Sequence, residues 1–501
     1  MQRYGLIILF VTFALTNQKK EKMFTFLFSL IALVAGYIFY GKFVERVFGP
    51  DNRQTPAVAK ADGVDFIVLP NWKIFMIQFL NIAGTGPIFG AIMGAKFGPA
   101  AYLWIVLGCI FAGAVHDYLS GMLSMRNGGV GQPELVGLYL GQTTKKIMLV
   151  FSVFLLMMVG AVFVYSPALI LGKMCSDGLL WVYIWCALIF IYYIVATMLP
   201  IDKIIGKIYP LFAISMLFMA VALMVVLFVH WPSLPELTDG IHGEQYSSPI
   251  FPALFITIAC GAISGFHATQ SPLMARCIAK EKMGRPIFYG AMITEGLVAL
   301  IWATVSMYFF YGGAAEQLGV SNTLQAPEVV TAVSKGWLGT FGGILALLGV
   351  VAAPITSGDT ALRSARLIIA EFIHLDQKTI QKRMWICIPL FAVTFFLLYF
   401  NIANPDGFNV IWSYFGWANQ TLAVFTLWAV TVYLVREKKN FWITLLPSIF
   451  MTVVCSTFLM ISKNAFGFDM MVGYGVGGSA LIISVAWFYG WYLKTQKKIR
   501  S

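Results

Sequence analysis

The stretch Ile82-Ala83-Gly84-Thr85-Gly86-Pro87-Ile88 interrupts an apolar run that is long enough to cross a bilayer. Proline cannot donate a backbone hydrogen bond and clashes with the preceding helical turn, and glycine leaves helical dihedral angles at little cost. Gly86 followed by Pro87 is also typical of an N-cap and the first residue of a new helix. The stretch therefore predicts a helix that breaks within the membrane and starts again.

A second interruption lies further along the chain. It reads Gly261-Ala262-Ile263-Ser264-Gly265-Phe266-His267 and continues as Ala268-Thr269-Gln270-Ser271-Pro272, where Ser271-Pro272 predicts another cap-and-proline start. Glycine and proline also make simple kinks in membrane helices. Two interruptions separated by five spans favour the paired broken helices of a transporter instead, whose exposed N–H groups suit a carboxylate.

Composition supports lipid as the solvent of this chain. Of 501 residues, 59% are hydrophobic and 11% are charged. A soluble domain carries about 25% charged residues, because polar side chains must cover its surface. The net charge of +12 sits in short clusters between apolar runs, which argues against a nucleic-acid partner. None of the seven cysteines forms a CxxC pair, so neither a disulfide framework nor a metal or cofactor site is indicated.

The apolar runs predict an all-α polytopic membrane protein with about thirteen transmembrane helices. The predicted spans are 23–41, 73–95, 100–124, 147–171, 179–199, 208–230, 251–278, 287–311, 338–358, 385–401, 408–435, 441–462 and 472–493. Counted from the broken spans, two five-helix repeats occupy 73–230 and 251–435. An accessory helix at 23–41 and a cytoplasmic loop at 42–72 precede this core, and two accessory helices at 441–493 follow it.

Charge in the loops predicts the orientation. Alternate loops carry 26 Lys and Arg against 4 in the remaining loops, which is the pattern of positive-inside topology. The C-terminus is therefore expected in the cytoplasm. Residues 1–22 disagree with this pattern, and a translation start at Met23 explains them more simply than a signal peptide does.

Several ionisable residues lie at membrane depth, where each charge costs roughly 2.5–3.5 kcal/mol on insertion scales. We interpret His116, Asp117, Glu295, Thr356, Ser357 and Asp359 as candidates for proton or Na⁺ coupling. Purely structural alternatives are that Asp359 forms an ion pair with Arg363 one turn away, and that His116 and Asp117 reach the lipid headgroups. The predicted substrate-binding residues are Ala83, Gly84, Thr85, Gly86, Pro87, Gly261, Ser264, Gly265, His267, Thr269, Gln270, Ser271, Asn419 and Gln420.

Several of these motifs together resemble the carbon starvation protein A family. They include Tyr40-Gly41-Lys42-Phe43, Ala61-Asp62-Gly63-Val64-Asp65, both interruptions, Gly113-Ala114-Val115-His116-Asp117 and the segment from Thr356 to Arg366. The resemblance runs from Met23 to past Gln420. It implies a transporter of peptides or pyruvate, coupled to protons and linked to growth under carbon starvation, with a five-plus-five inverted-repeat core. The compact segment after His267 departs from the family pattern and leaves peptide and pyruvate both open.

The sequence thus predicts an ion-coupled symporter for small carboxylate solutes, with H⁺ or Na⁺ as its partner ion. A divalent-metal transporter is the first alternative, although the first interruption offers no carboxylate and the second offers only Cys260 and His267. An enzyme using His116 and Asp117 is disfavoured because neighbours on a helix point in different directions. A nutrient sensor that binds without transporting is the last alternative.

Overall fold

The computed structural model describes residues 23–63, 65–175, 178–198, 201–243, 249–377, 379–404 and 407–500, so the predicted extension at 1–22 lies outside the described residues. The helices of the first half are α1 (Phe24–Phe48), α2 (Pro56–Ala59), α3 (Asn71–Ala83), α4 (Gly86–Ala95), α5 (Ala100–Arg126), α6 (Gln132–Leu140), α7 (Gln142–Cys175), α8 (Leu179–Met198) and α9 (Ile201–His230). Those of the second half are α10 (Ile250–Thr257), α11 (Gly265–Ala275), α12 (Glu281–Tyr311), α13 (Ala314–Gln317), α14 (Ala326–Phe372), α15 (Ile380–Ala403), α16 (Gly407–Arg436), α17 (Trp442–Ile461) and α18 (Met470–Arg500).

The thirteen predicted spans are accounted for. Eleven helices in the described part are long and apolar enough to cross a membrane, and each matches one predicted span. The span at 73–95 is the pair α3 and α4, which meet at an angle of 52°. The span at 251–278 is the pair α10 and α11, with residues 258–264 non-helical between them. Both predicted interruptions are therefore real breaks.

The ninth span is placed differently from its prediction. It was expected at 338–358, but the helix continues to Phe372 and its membrane-spanning part is Gly342–Phe372. The backbone breaks before it, at Gly339, where φ is +64°. Hydropathy ends the span too early because it treats Arg363 and Arg366 as loop residues. In the fold both guanidinium groups are fully buried against other helices. Thr356, Ser357 and Asp359 consequently lie near the middle of the span rather than at its inner end.

Contacts between loops show that the basic loops share one face of the molecule. Arg126 at the end of α5 pairs with Glu281 at the start of α12 at 2.9 Å, and Arg285 pairs with Glu45 at 2.8 Å. Arg53 hydrogen-bonds Asp51 on the same face and holds the pKa of that exposed carboxyl well below its usual range. Loops with few basic residues meet on the other face: the Tyr311 hydroxyl donates to the Lys96 carbonyl and Lys173 pairs with Glu328, both at 2.7 Å.

The broken helices lie at the centre of the bundle. In the most apolar segments of α5, α12 and α16, which surround the breaks, 83–89% of the residues are buried. In those of α8, α15 and α18 the share is 17–39%. The outer helices present Trp385, Phe396 and Trp487 at the surface, as lipid-facing helices do. The core thus encloses irregular backbone that lipid would not tolerate.

Candidate functional site

The first break is a two-residue turn between α3 and α4. Gly84 adopts φ +35° and ψ −141°, a conformation that disfavours any residue with a Cβ, and Thr85 precedes the new helix. The helix starts at Gly86 with Pro87 in its first turn, one residue before the predicted start. The two breaks touch, because an ideal Cβ on Gly86 would lie 2.3 Å from Cys260 Sγ.

The second break is held by one side chain of α16. The side-chain oxygen Oδ1 of Asn419 accepts hydrogen bonds from the Phe266 backbone N–H at 2.6 Å and from the Ser264 hydroxyl at 3.0 Å. These bonds start the new helix at Gly265. The predicted start at Ser271-Pro272 is wrong: both residues lie inside α11, and the Ser271 hydroxyl bonds the His267 carbonyl of its own helix at 3.0 Å.

Four buried ionisable side chains form a chain beside this break. The Asp117 carboxylate lies 2.8 Å from Nδ1 of His116 and 2.8 Å from Nδ1 of His267, and Nε2 of His267 lies 3.4 Å from Oε2 of Glu295. All four side chains are fully buried, so neither His116 nor Asp117 reaches the headgroups. Their expected divergence as helix neighbours is also wrong, since their side chains meet at 2.8 Å.

Asp359 is bound by tyrosines and not by the arginine one turn away. Its carboxylate accepts hydrogen bonds from the Tyr209 hydroxyl at 2.7 Å and the Tyr192 hydroxyl at 3.4 Å, while Arg363 donates to the Ala196 carbonyl. The other oxygen of Asp359 has no hydrogen-bond partner among the described residues. The alternative of a structural Asp359–Arg363 pair is therefore not what the fold forms.

The two hydroxyls predicted to hold Na⁺ behave differently. Ser357 reaches across to the first break, where its hydroxyl donates to the Leu80 carbonyl at 2.9 Å. Thr356 bonds the carbonyls of Ala352 and Ala353 within its own helix, both at 2.9 Å. Of these two hydroxyls, that of Ser357 joins α14 to the C-terminal end of α3, and that of Thr356 does not.

A small recess lies beside α11 on the face that carries the basic loops. Its lining includes Thr269, Ser364, Arg276 and Glu371. Arg276 and Glu371 form an ion pair of 2.5 Å at its rim. Gln270 lies behind Thr269 and donates to its hydroxyl at 2.8 Å, whereas the predicted residue Gln420 lies on the opposite side of the break and donates to the Phe255 carbonyl at 2.9 Å.

Aromatic rings cover the breaks on the opposite side from this recess. Phe163 packs against Phe266 and Phe415 with centroid distances of 6.3 and 6.1 Å, and Trp412 packs against Phe415 and Phe89 at 5.5 and 6.1 Å. Phe163 also contacts the first break, 2.8 Å from an ideal Cβ on Gly84. The centre is thus closed by rings towards one face and approached by a recess from the other.

Sequence reasoning did not assign three residues of this centre. Cys260 was named only as a ligand for the alternative of a metal transporter, and its thiol lies between the breaks. Gln78 and Asn81 in α3 are fully buried, and neither side-chain amide has a hydrogen-bond partner within the described part of the chain. Their signal was present in the sequence as two amides three residues apart on one helix face, directly before the first interruption.

Comparison with known proteins gives consistent matches. The model of the carbon starvation protein CstA family matches residues 21–184, 179–335 and 319–458. An uncharacterized membrane protein of Haemophilus influenzae is 45% identical over 60% of this chain and 94% of its own length. The peptide transporter CstA of Escherichia coli is 25% identical over 89% of this chain and 81% of its own, and the pyruvate/proton symporter BtsT of that organism is 25% identical over 86% and 80%.

Two solved structures share the fold. A manganese transporter of Eremococcus coleocola superposes with a TM-score of 0.57 at 11% identity, covering 87% of this chain and 99% of the other. MhsT in complex with L-phenylalanine gives 0.54 at 12% identity, covering 83% and 99%. The predicted fold, an inverted-repeat helical membrane protein, is confirmed.

Proposed function

The chain belongs to the carbon starvation protein CstA family, and from that premise we propose that it is an ion-coupled symporter of the bacterial inner membrane for small carboxylate solutes, peptides or pyruvate. The contact between two broken helices at the centre of the bundle carries the proposal, because broken helices supply backbone groups that an unbroken helix keeps to itself. The names of the relatives CstA and BtsT support the solute class.

The solute carboxylate is held at the first break. The N-termini of α4 and α11 both lie at the centre, where the partial positive charge of a helix N-terminus favours an anion. The Asn81 amide and the Thr85 hydroxyl at this break are buried without partners among the described residues. A buried donor without an acceptor costs about 1–3 kcal/mol, which a bound carboxylate recovers.

Asp359 carries the coupling proton. One oxygen of its buried carboxylate lacks a partner and no ion pair in the described structure neutralises it, so the group gains by taking up a proton. The relative BtsT, a pyruvate/proton symporter, supports a proton over Na⁺. Na⁺ is the alternative ion, with Ser357 Oγ and the Leu80 carbonyl as oxygen ligands.

Access to the centre alternates as the five-helix repeats at 73–230 and 251–435 rock against the remaining helices. An even number of spans separates Arg276 from the C-terminus, so the recess opens on the C-terminal side, which we place in the cytoplasm. The aromatic layer of Phe163, Phe266, Phe415 and Trp412 then seals the periplasmic side.

Uptake into proteoliposomes tests this function. Labelled pyruvate, a dipeptide and a tripeptide are offered separately under an imposed proton gradient and under an imposed sodium gradient. We expect one of these solutes to accumulate under the proton gradient, and Thr85→Val to lower the uptake rate at least tenfold. Thr394→Val is the matched control, because that buried hydroxyl bonds only the Leu390 carbonyl of its own helix. Binding of a solute without any flux would instead identify a sensor.

A further inference from the structure

Three metal-ligating side chains converge between the breaks. Cys260 Sγ, a ring nitrogen of His267 and a carboxylate oxygen of Glu295 all lie within 4.8 Å of one another, and all three residues are buried. We propose that they bind one divalent transition-metal ion of the Zn²⁺ class. The site does not depend on which solute the protein carries or on how transport is coupled.

The imidazole of His267 is oriented as metal-bound histidines are. Its Nδ1 faces the Asp117 carboxylate at 2.8 Å, which leaves Nε2 to face Glu295 at 3.4 Å. A carboxylate on the far nitrogen fixes the tautomer and raises the basicity of the ligating nitrogen. Neither Nε2 of His267 nor either oxygen of Glu295 has a hydrogen-bond partner in the part of the chain described. Apart from the 3.4 Å contact between Nε2 of His267 and Oε2 of Glu295, these three atoms have no partner in that part of the chain, and buried lone pairs are costly unless a cation lies between them.

The sulfur of Cys260 is also oriented by neighbouring polar groups. The Asn419 amide N–H donates to its sulfur at 3.6 Å, and the thiol S–H donates to the Ser264 hydroxyl oxygen at 3.6 Å, a proton that leaves when a metal ion binds. Amide N–H groups directed at sulfur favour the thiolate, which is the metal-binding form. Cys260 belongs to the non-helical segment 258–264, so its side chain is not fixed in a helical register.

The ligand spacing is near that of a tetrahedral site. Bond lengths of about 2.3 Å for sulfur and about 2.0–2.2 Å for nitrogen and oxygen place ligand atoms roughly 3.3–3.7 Å apart. The Nε2–Oε2 distance of 3.4 Å already meets this value. No two of the ligand atoms are more than 4.8 Å apart, so the remaining closure is about 1 Å at most.

The donor set selects the class of ion. One sulfur, one nitrogen and one oxygen suit Zn²⁺ or Co²⁺, whereas Mg²⁺ and Ca²⁺ require oxygen ligands throughout. Thiolate and carboxylate together balance the double charge of the ion. Three protein ligands leave a fourth position for water or a solute oxygen, as in open zinc sites.

Cobalt titration of the purified, chelator-treated full chain in detergent tests the site, and no solute or gradient is needed. We expect one Co²⁺ per chain, with the absorption of tetrahedral Co²⁺ and a thiolate-to-metal charge-transfer band. Cys260→Ser should remove that band, and both Cys260→Ser and Glu295→Gln should weaken Co²⁺ binding at least tenfold. Cys277→Ser is the matched control, since that thiol is also buried but donates to the Leu273 carbonyl and is not part of the cluster.

Absence of stoichiometric Co²⁺ binding by the unmodified protein would overturn the site, and so would a charge-transfer band that survives in Cys260→Ser. If that variant does not fold, the band in the unmodified protein still reports thiolate ligation, and protection of Cys260 from alkylation by bound Zn²⁺ identifies the thiol. Loss of this site would leave the transport proposal intact, because uptake is measured separately.

Discussion

Single residues decide what the centre of this protein can bind. Asn419 links two of the observations, since its side-chain oxygen accepts the Phe266 N–H at the start of α11 and its amide N–H reaches Cys260. Asp359 shows the opposite pattern, a carboxylate with one oxygen bound to Tyr209 and the other free. The first arrangement fixes backbone geometry, and the second leaves a site for a proton.

Replacing Asp359 with asparagine separates coupling from binding. The amide keeps the size and the tyrosine contact but cannot carry a proton between the two faces. We expect Asp359→Asn to lose accumulation driven by a proton gradient, at least tenfold, while exchange of labelled for unlabelled solute persists. Asp469→Asn, at an exposed loop residue, is the control. Loss of both activities would assign Asp359 a structural role instead of a coupling role.

Gly86 tests the contact between the breaks. A methyl group there would lie 2.3 Å from the Cys260 side chain, so Gly86→Ala must push the two half-helices apart. We expect the uptake rate to fall at least tenfold and stability to fall by about 1–3 kcal/mol, the usual range for overpacking. Gly475→Ala, which meets nothing within 4 Å, should preserve both. Normal uptake by Gly86→Ala would remove the first break from the binding site.

At the scale of elements, the sequence predicted the existence of each break better than its boundaries. Gly84 and Pro87 are local signals, and the first break lies where they predict it. The start of α11 depends on Asn419, more than 150 residues away, so local signals placed it wrongly at Ser271-Pro272. The Cys260–His267–Glu295 cluster likewise required the packing of the second break against α12, which no spacing along the chain reveals.

The packing of α11 on α16 gives a prediction for stability. An ideal Cβ on Gly265 would lie 2.3 Å from both the backbone carbonyl oxygen of Asn419 and the backbone nitrogen of Ala423. Neither atom can rotate away. We expect Gly265→Ala to cost at least about 3 kcal/mol, at the upper end for overpacking, and to lower the melting temperature in detergent. Gly478→Ala on α18 has no neighbour within 4 Å and should leave melting unchanged. Equal melting of the two variants would contradict the close approach.

For the whole molecule, hydropathy and charge predicted most of the architecture. Each apolar run became a helix or a broken pair because lipid requires every backbone group to be satisfied within the protein. The ninth span was misplaced because buried Arg363 and Arg366 look like loop residues to any hydropathy measure. Whether a charge is buried depends on how the helices pack, so it cannot be predicted from the hydropathy of a single span.

The alternation of basic loops yields the last prediction, a cytoplasmic C-terminus. The side-chain contacts support it, since Arg126–Glu281 and Arg285–Glu45 join basic loops to each other while Lys173–Glu328 joins the loops of the other face. Green fluorescent protein fused after Lys497 should fluoresce, and alkaline phosphatase fused there should be inactive. Alkaline phosphatase inserted after Gly319 should be active, because that loop lies on the opposite face. The reverse pattern would invert the molecule, and the recess beside Arg276 and Glu371 would then open to the periplasm.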